Sequence, residues 1–181
     1  MAQTVHATEM PVARAGHVAD LSNTDIISRL AEDAAGAGAG RLVVAGTDAE
    51  NQAVAPTATG DVTGGDALGV VKYDATKEPA RTAAALAAGN EFDIEDTLPV
   101  VQKGRVWVLC DAGATIVANT AAFVRFASGA GGSVLGAFRQ NADTATAVAL
   151  PNAKFVSSHR DVNFNGVTQR IALVDLDLPT L

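Results

Sequence analysis

A single cysteine, Cys110, in 181 residues excludes an internal disulfide and any zinc centre built from several thiolates of one chain. Aromatic residues are nearly as scarce. One Trp, one Tyr and six Phe make up 4% of the chain, too few to line a thick aromatic pocket for a small ligand. Basic residues are in the minority, 13 Lys plus Arg against 20 Asp plus Glu, and the resulting charge of −7 opposes the phosphate neutralisation on which nucleic-acid affinity rests. Arg125, Arg139, Arg160 and Arg170 stand singly, in no aromatic pattern of the kind an RNP-type surface has, and read as solvated charges at strand edges. No apolar run approaches the roughly 20 residues of a membrane helix, and residues 1–10 lack a basic stretch followed by an apolar one. Neither membrane insertion nor export is expected.

Small apolar side chains are what the sequence has in quantity: 37 Ala, 21 Val and 17 Gly, with 48% of the chain apolar. Such a chain is too hydrophobic to stay unfolded, and its length is that of one ordinary domain. Residues 1–21 show no sustained period of 2 or 3.6 and read as an extended arm, ordered only against a partner. From Ser22 a short helix is expected to about Asp33, with Ser22 or Asn23 as cap, Asp25 at the positive end and Ile26, Ile27 and Leu30 on one face. Glycines 36, 38 and 40 then read as a hinge, so residues 1–40 form arm, helix and hinge, and residues 41–181 a β-rich body.

Beyond Gly40, short β-branched runs alternate with Gly, Asp, Asn and Pro at roughly ten-residue spacing. The strands expected are 41–45, 52–55, 67–73, 97–102, 105–110, 122–127, 134–138, 145–149, 154–158 and 167–175. The fold class is therefore mainly β: an antiparallel sandwich, or a jelly-roll or barrel-like body. Val106, Trp107 and Val108 lie in a strand apolar on both faces, which should be central and form core. Lys103-Gly104 reads as a hairpin turn, and Asn165-Gly166 as the strongest hairpin signal, so that the last two strands pair. Residues 78–90 are Ala-rich and suit either a surface helix or an ordered loop.

Chemistry-bearing patterns are weak. Ser157, Ser158, His159 and Asp161 include the residue types of a nucleophilic triad, but strand neighbours point to opposite faces and no nucleophile elbow is present. Asp93, Glu95 and Asp96 form a compact acidic turn without a calcium-loop pattern. The glycine runs at 36–40 and 129–132 do not continue into a phosphate-binding loop, and His6, His17 and His159 lack metal-ligand spacing. No catalytic residue, metal or cofactor is expected.

The string Ala15-Gly-His-Val-Ala-Asp-Leu-Ser-Asn-Thr-Asp-Ile-Ile-Ser-Arg29 resembles the opening signature of structural cement, or head decoration, proteins of tailed bacteriophages. Later features follow in similar order: Leu42 to Asp48 with its Gly-Thr-Asp turn, Asn51-Gln52, Leu68-Gly-Val-Val71, an acidic segment, and Lys103-Gly-Arg-Val-Trp-Val108. The glycine run at 36–40 and the Ala-rich segment near 80–90 depart from it. The resemblance implies a non-catalytic protein, made in the bacterial host cytoplasm and added to the outer surface of an assembled head. Its partner there is the major capsid protein, whose subunits it bridges, with neither nucleic acid nor membrane involved. Ala15, Gly16, His17, Val18, Asp20, Ile26, Ile27 and Arg29 are the capsid-contact candidates it suggests. Edge protection of the terminal strand, where Val174, Leu176 and Leu178 alternate with Asp175 and Asp177, adds an expectation of self-association as a dimer or trimer. A host-surface or carbohydrate-binding β-sandwich is the competing reading, and it requires exposed aromatics.

Overall fold

The structure, a computed structural model, describes residues 13–21, 23–32, 37–77, 92–127, 133–164 and 167–179. It is mainly β, with a barrel-like sheet. The strands are β1 (Asp25–Ala31), β2 (Leu42–Ala45), β3 (Gln52–Val54), β4 (Ala67–Val71), β5 (Thr97–Leu109), β6 (Ala121–Arg125), β7 (Phe138–Arg139), β8 (Ala147–Phe155), β9 (Arg160–Phe164) and β10 (Val167–Asp177). One short helix, α1 (Thr59–Thr63), interrupts them.

Two rings of strands share β5. In the first, β1 pairs with β3, β3 with β2, β2 with β4, β4 with β5, and β5 back with β1, all antiparallel except the β1–β3 pair. In the second, β5 pairs with β10, β10 with β8, β8 with β6 and β6 with β7, and a parallel bridge from Phe138 to Cys110 closes the circuit just beyond β5. Val43, Leu68, Val71, Phe92, Leu98 and Val100 pack together within the first ring. A larger cluster, including Val106, Val108, Val124, Phe138, Phe155 and Val174, fills the second and reaches Leu42 and Val70. Helix α1 packs against β8, and its buried Val62 joins that larger cluster. Asp61 holds the helix start by accepting the Thr57 and Ala58 N–H groups at 2.8 and 2.9 Å.

Several expectations change. The helix expected from Ser22 to about Asp33 gives way to a strand where the chain is described: β1 occupies Asp25–Ala31, in the same sheet as the rest. Ile26 and Leu30 share a face at either period, with Ile27 on the opposite face of a strand, and the choice is made by β5 and β3, whose edges β1 joins. Two adjacent β-branched residues tilt the local preference the same way. Lys103-Gly104 is not a turn but the middle of β5, which keeps going and changes neighbours. Before it the neighbours are β1 and β4; after it they are the arm and β10. Gly104 has φ +113°, and a Cβ there would stand 2.8 Å from Thr24 Oγ1, so glycine is needed where the two strand segments cross.

The strands expected at 145–149 and 154–158 fuse into β8. Phe123 faces Ala149 while Ala121 faces Lys154, so the residues between are looped out as a bulge that accommodates Pro151 and Asn152 at φ +57°. The strand expected at 134–138 shortens to β7 after a turn at Gly136. Phe164 pairs with Val167, so the last two strands do form a hairpin, with β9 as a partner that alternation did not single out. The terminal strand β10 is not an edge: β5 lies along one side, and β8 and β9 along the other. The glycine run is no hinge where it is described, because Gly40 donates to Val71 O and accepts from Leu109 N–H, both at 2.8 Å. Residues 78–90 and 129–132 lie outside the described residues.

The arm is ordered against its own chain from Ala13. Gly16 N–H donates to Trp107 O at 2.6 Å, Trp107 N–H to His17 O at 2.9 Å and Ala19 N–H to Arg105 O at 2.8 Å. These bonds extend the line of β1 along β5. Ala13 and Ala15 cover Trp107, which packs with Val162 and Ile171 in a third cluster on the outer side of β5. Removing the indole by Trp107→Ala should cost about 3–5 kcal/mol. The arm should also become sensitive to trypsin at Arg14. Urea denaturation and limited proteolysis check both effects; unchanged stability would contradict the placement of Trp107 beneath the arm.

Candidate functional site

The residues resembling a triad are separated by their own hydrogen bonds. Ser157 Oγ accepts from Leu173 N–H at 3.0 Å, His159 Nδ1 lies 3.1 Å from Ile116 N, and Asp161 takes a two-pronged contact from Arg170 at 2.8 and 2.9 Å. Each of the three holds a different segment to its neighbour. Asp96 accepts from Asp93 N–H at 2.8 Å within a turn. Among the described residues, no group of three or more His, Cys, Asp or Glu side chains could hold a metal ion. Burial pushes the Cys110 thiol far above its usual range, which suits a packing role. No helix among the described residues is long and apolar enough to cross a membrane.

Three of the four arginines read as solvated edge charges are instead held in ion pairs, and the fourth, Arg160, is exposed as expected. Arg125 is 2% exposed and donates through Nε to Asp111 Oδ2 at 2.8 Å, while its NH1 reaches Thr146 Oγ1 at 2.9 Å. Arg139 NH1 joins the same carboxylates, Asp111 at 3.0 Å and Asp143 at 2.6 Å. Two arginines and two aspartates thus form a charge-balanced network at the open end of the second ring. It clasps the loop before β8, where Asp143, Thr144 and Ala145 all have positive φ. Arg170 is half-buried against Asp161, and only Arg160 is exposed, with its guanidinium 6.0 Å from the Trp107 ring. No sequence signal announced the network, because its members come from four separate elements.

Among the described residues, aromatic side chains are not offered to solvent as a glycan-binding platform would offer them. Trp107 is buried, and Tyr73 is clamped by Arg14, whose guanidinium lies 4.0 Å from the ring centroid, and by His17 at 5.1 Å. What the surface does offer is aliphatic. Leu21, Ile26, Leu30, Ile94 and Val117 are the exposed large hydrophobic residues among those described, and the first four follow the path of the arm's end, β1 and the turn beside it. Of the contact candidates, Ala15 and Gly16 are buried in the chain's own core. Their burial follows from the arm's pairing with β5. His17, Val18, Ile27 and Arg29 are partly exposed, and Asp20 and Ile26 are exposed.

Residues 1–177 match the family described as structural cement protein (E217 gp24/Pam3 gp6). The chain belongs to the phage structural cement family. No curated protein matches it in sequence. A chain from the solved structure titled "The capsid of Myoviridae Phage XM1" superposes with a TM-score of 0.64 at 15% identity, covering 95% of this chain and 96% of that one. At that identity the likeness is one of fold. The cement protein is accordingly a capsid structural protein, and its ion pairs and aliphatic strip are to be read as parts of a scaffold that binds other proteins.

Asp143 and Asp161 are both held below the ordinary carboxylate range, chiefly by hydrogen bonds from Arg125 and Arg170 respectively. Depressed pKa values stabilise the fold above the unfolded pKa and stop doing so as the pH falls through the folded one. Melting temperature should therefore be flat between about pH 7 and 5 and fall below about pH 4. Asp161→Asn should make that fall shallower. Identical acid profiles for the variant and the parent would contradict the pairing.

Proposed function

We propose that this cement protein attaches to the outer surface of an assembled phage head, bridges neighbouring major capsid protein subunits, and performs no catalytic step. The family match over residues 1–177 carries the reading. The acidic charge of −7 supports an outward position, since packaged DNA would repel it. Neither nucleic acid nor a membrane is among the proposed partners. His17, Val18, Asp20, Ile26, Ile27 and Arg29 remain as contact residues. Weak individual contacts suffice on a lattice, where many sites act together. A closed dimer or trimer on the head would have to use surfaces other than the edge of β10, which is paired on both sides.

The test is reconstitution. Heads purified without this protein should bind it saturably, at a fixed ratio to the major capsid protein, and should then release DNA at a higher temperature. Heads that neither retain the protein through sedimentation nor gain heat resistance would refute the proposal.

A further inference from the structure

Charge is distributed unevenly along this chain. Residues 1–102 hold six Lys plus Arg and fifteen Asp plus Glu, whereas residues 103–181 hold seven and five. The change of sign falls inside β5, at the point where that strand passes from the first ring to the second. Within the first ring, residues 42–71 and 92–102 contain seven carboxylates and no Lys or Arg. The excess of negative charge therefore belongs to one ring rather than to the whole surface.

The same ring carries the exposed aliphatic strip. Along β1, Ile26 and Leu30 face outward at 40% and 41% exposure, with Ser28 exposed between them. Ile94, 59% exposed, lies in the turn fastened to the end of β1 by the Glu95 N–H to Ala31 O bond of 2.8 Å. Leu21, beyond the other end of β1, is 74% exposed. Asp25 precedes Ile26, and Asp93 and Glu95 flank Ile94, all three exposed. Arg29 is half-buried, and strand alternation sets it opposite to Ile26 and Leu30. An apolar strip of this length on a sheet face, with a charged margin, has the make-up of a protein-binding surface.

We infer that the outer face of β1 is the docking surface, and that it receives an apolar strip bordered by Lys or Arg on a capsid subunit. The inference rests on the cement reading above and adds the chemistry of the partner. A second copy of this chain does not fit the face. A two-fold contact sets a patch against itself, and would bring Asp25, Asp93 and Glu95 of one copy against the same acids of the other. A partner with a basic margin removes that repulsion and pairs the acids instead.

The experiment measures binding of the purified full chain to undecorated heads at about 50 mM and about 500 mM NaCl, with sedimentation equilibrium of the free protein alongside. Binding of the wild-type chain should weaken about tenfold or more at the higher salt. The Asp93→Lys, Glu95→Lys pair should reduce low-salt binding to that level. Ile26→Ser with Leu30→Ser should weaken binding at both salts, by about tenfold per residue. Circular dichroism establishes folding. If the serine pair does not fold, the lysine pair, which alters only an exposed turn, decides the matter. Failure of the wild-type chain to bind heads refutes the cement placement itself. Salt-independent wild-type binding, equal binding by folded variants, or a free dimer that the serine pair dissociates overturns this inference while leaving that placement standing.

Discussion

Strand β5 supplies backbone hydrogen bonds to two rings, and neither ring closes without it. Over its 13 residues it pairs with β1 and β4, then with the arm and β10, so each of its ends is flanked on both sides. A strand buried on both faces in this way must be apolar nearly throughout, and Val100, Val101, Val106, Trp107 and Val108 meet that demand. Gly104 allows the crossing that lets one strand change partners midway. The small size of most side chains follows from the same geometry. Two narrow rings leave little interior volume, and Ala and Val fill it without strain.

Closure also removes the free edges of the two rings, leaving β9, which pairs with β10 alone among the described strands, outside them. The first ring has none, and the second is sealed by the Cys110–Phe138 bridge. The loop before β8 is the costly part of that arrangement, since three successive non-glycine residues there adopt positive φ at roughly 1–2 kcal/mol each. Charge holds it in place. Arg125 and Arg139 share Asp111 and Asp143, so that removal of any one partner would leave a net charge in a largely buried group.

Much of this was legible in advance, and the reasons for what was not are specific. The strands at 41–45, 52–55 and 67–73 announce themselves because their partners are near in sequence and their β-branched residues alternate with turn formers. Asn165-Gly166 likewise marks a hairpin whose pairing is local. In contrast, Asp25–Ala31 is a strand because of residues about seventy positions away, and no local pattern records that. The merging of two expected strands at Lys103-Gly104 has the same origin, for a turn signal means a turn only if the chain is free to reverse. The docked arm was missed because its order comes from hydrogen bonds to β5 rather than from any period of its own. Arg125 looked like a surface charge because its three side-chain partners are scattered between positions 111 and 146. As for the candidate contacts, the opening signature includes Ile26 on the exposed face of β1, while Leu30 and Ile94 emerged only once that face was known.

The first ring thus combines the chain's acidity with its exposed aliphatic surface, while the second ring holds the larger apolar cluster and the Arg125 network. The central claim is that this cement protein binds the outside of the head and bridges capsid subunits through the β1 side. A cryo-EM reconstruction of the decorated head tests it most directly. The account predicts density outside the shell with β1 and the Ile94 turn against major capsid protein, and contact made to more than one subunit. Density on the inner surface, or attachment to a single subunit through the β9–β10 hairpin with β1 facing solvent, would contradict it.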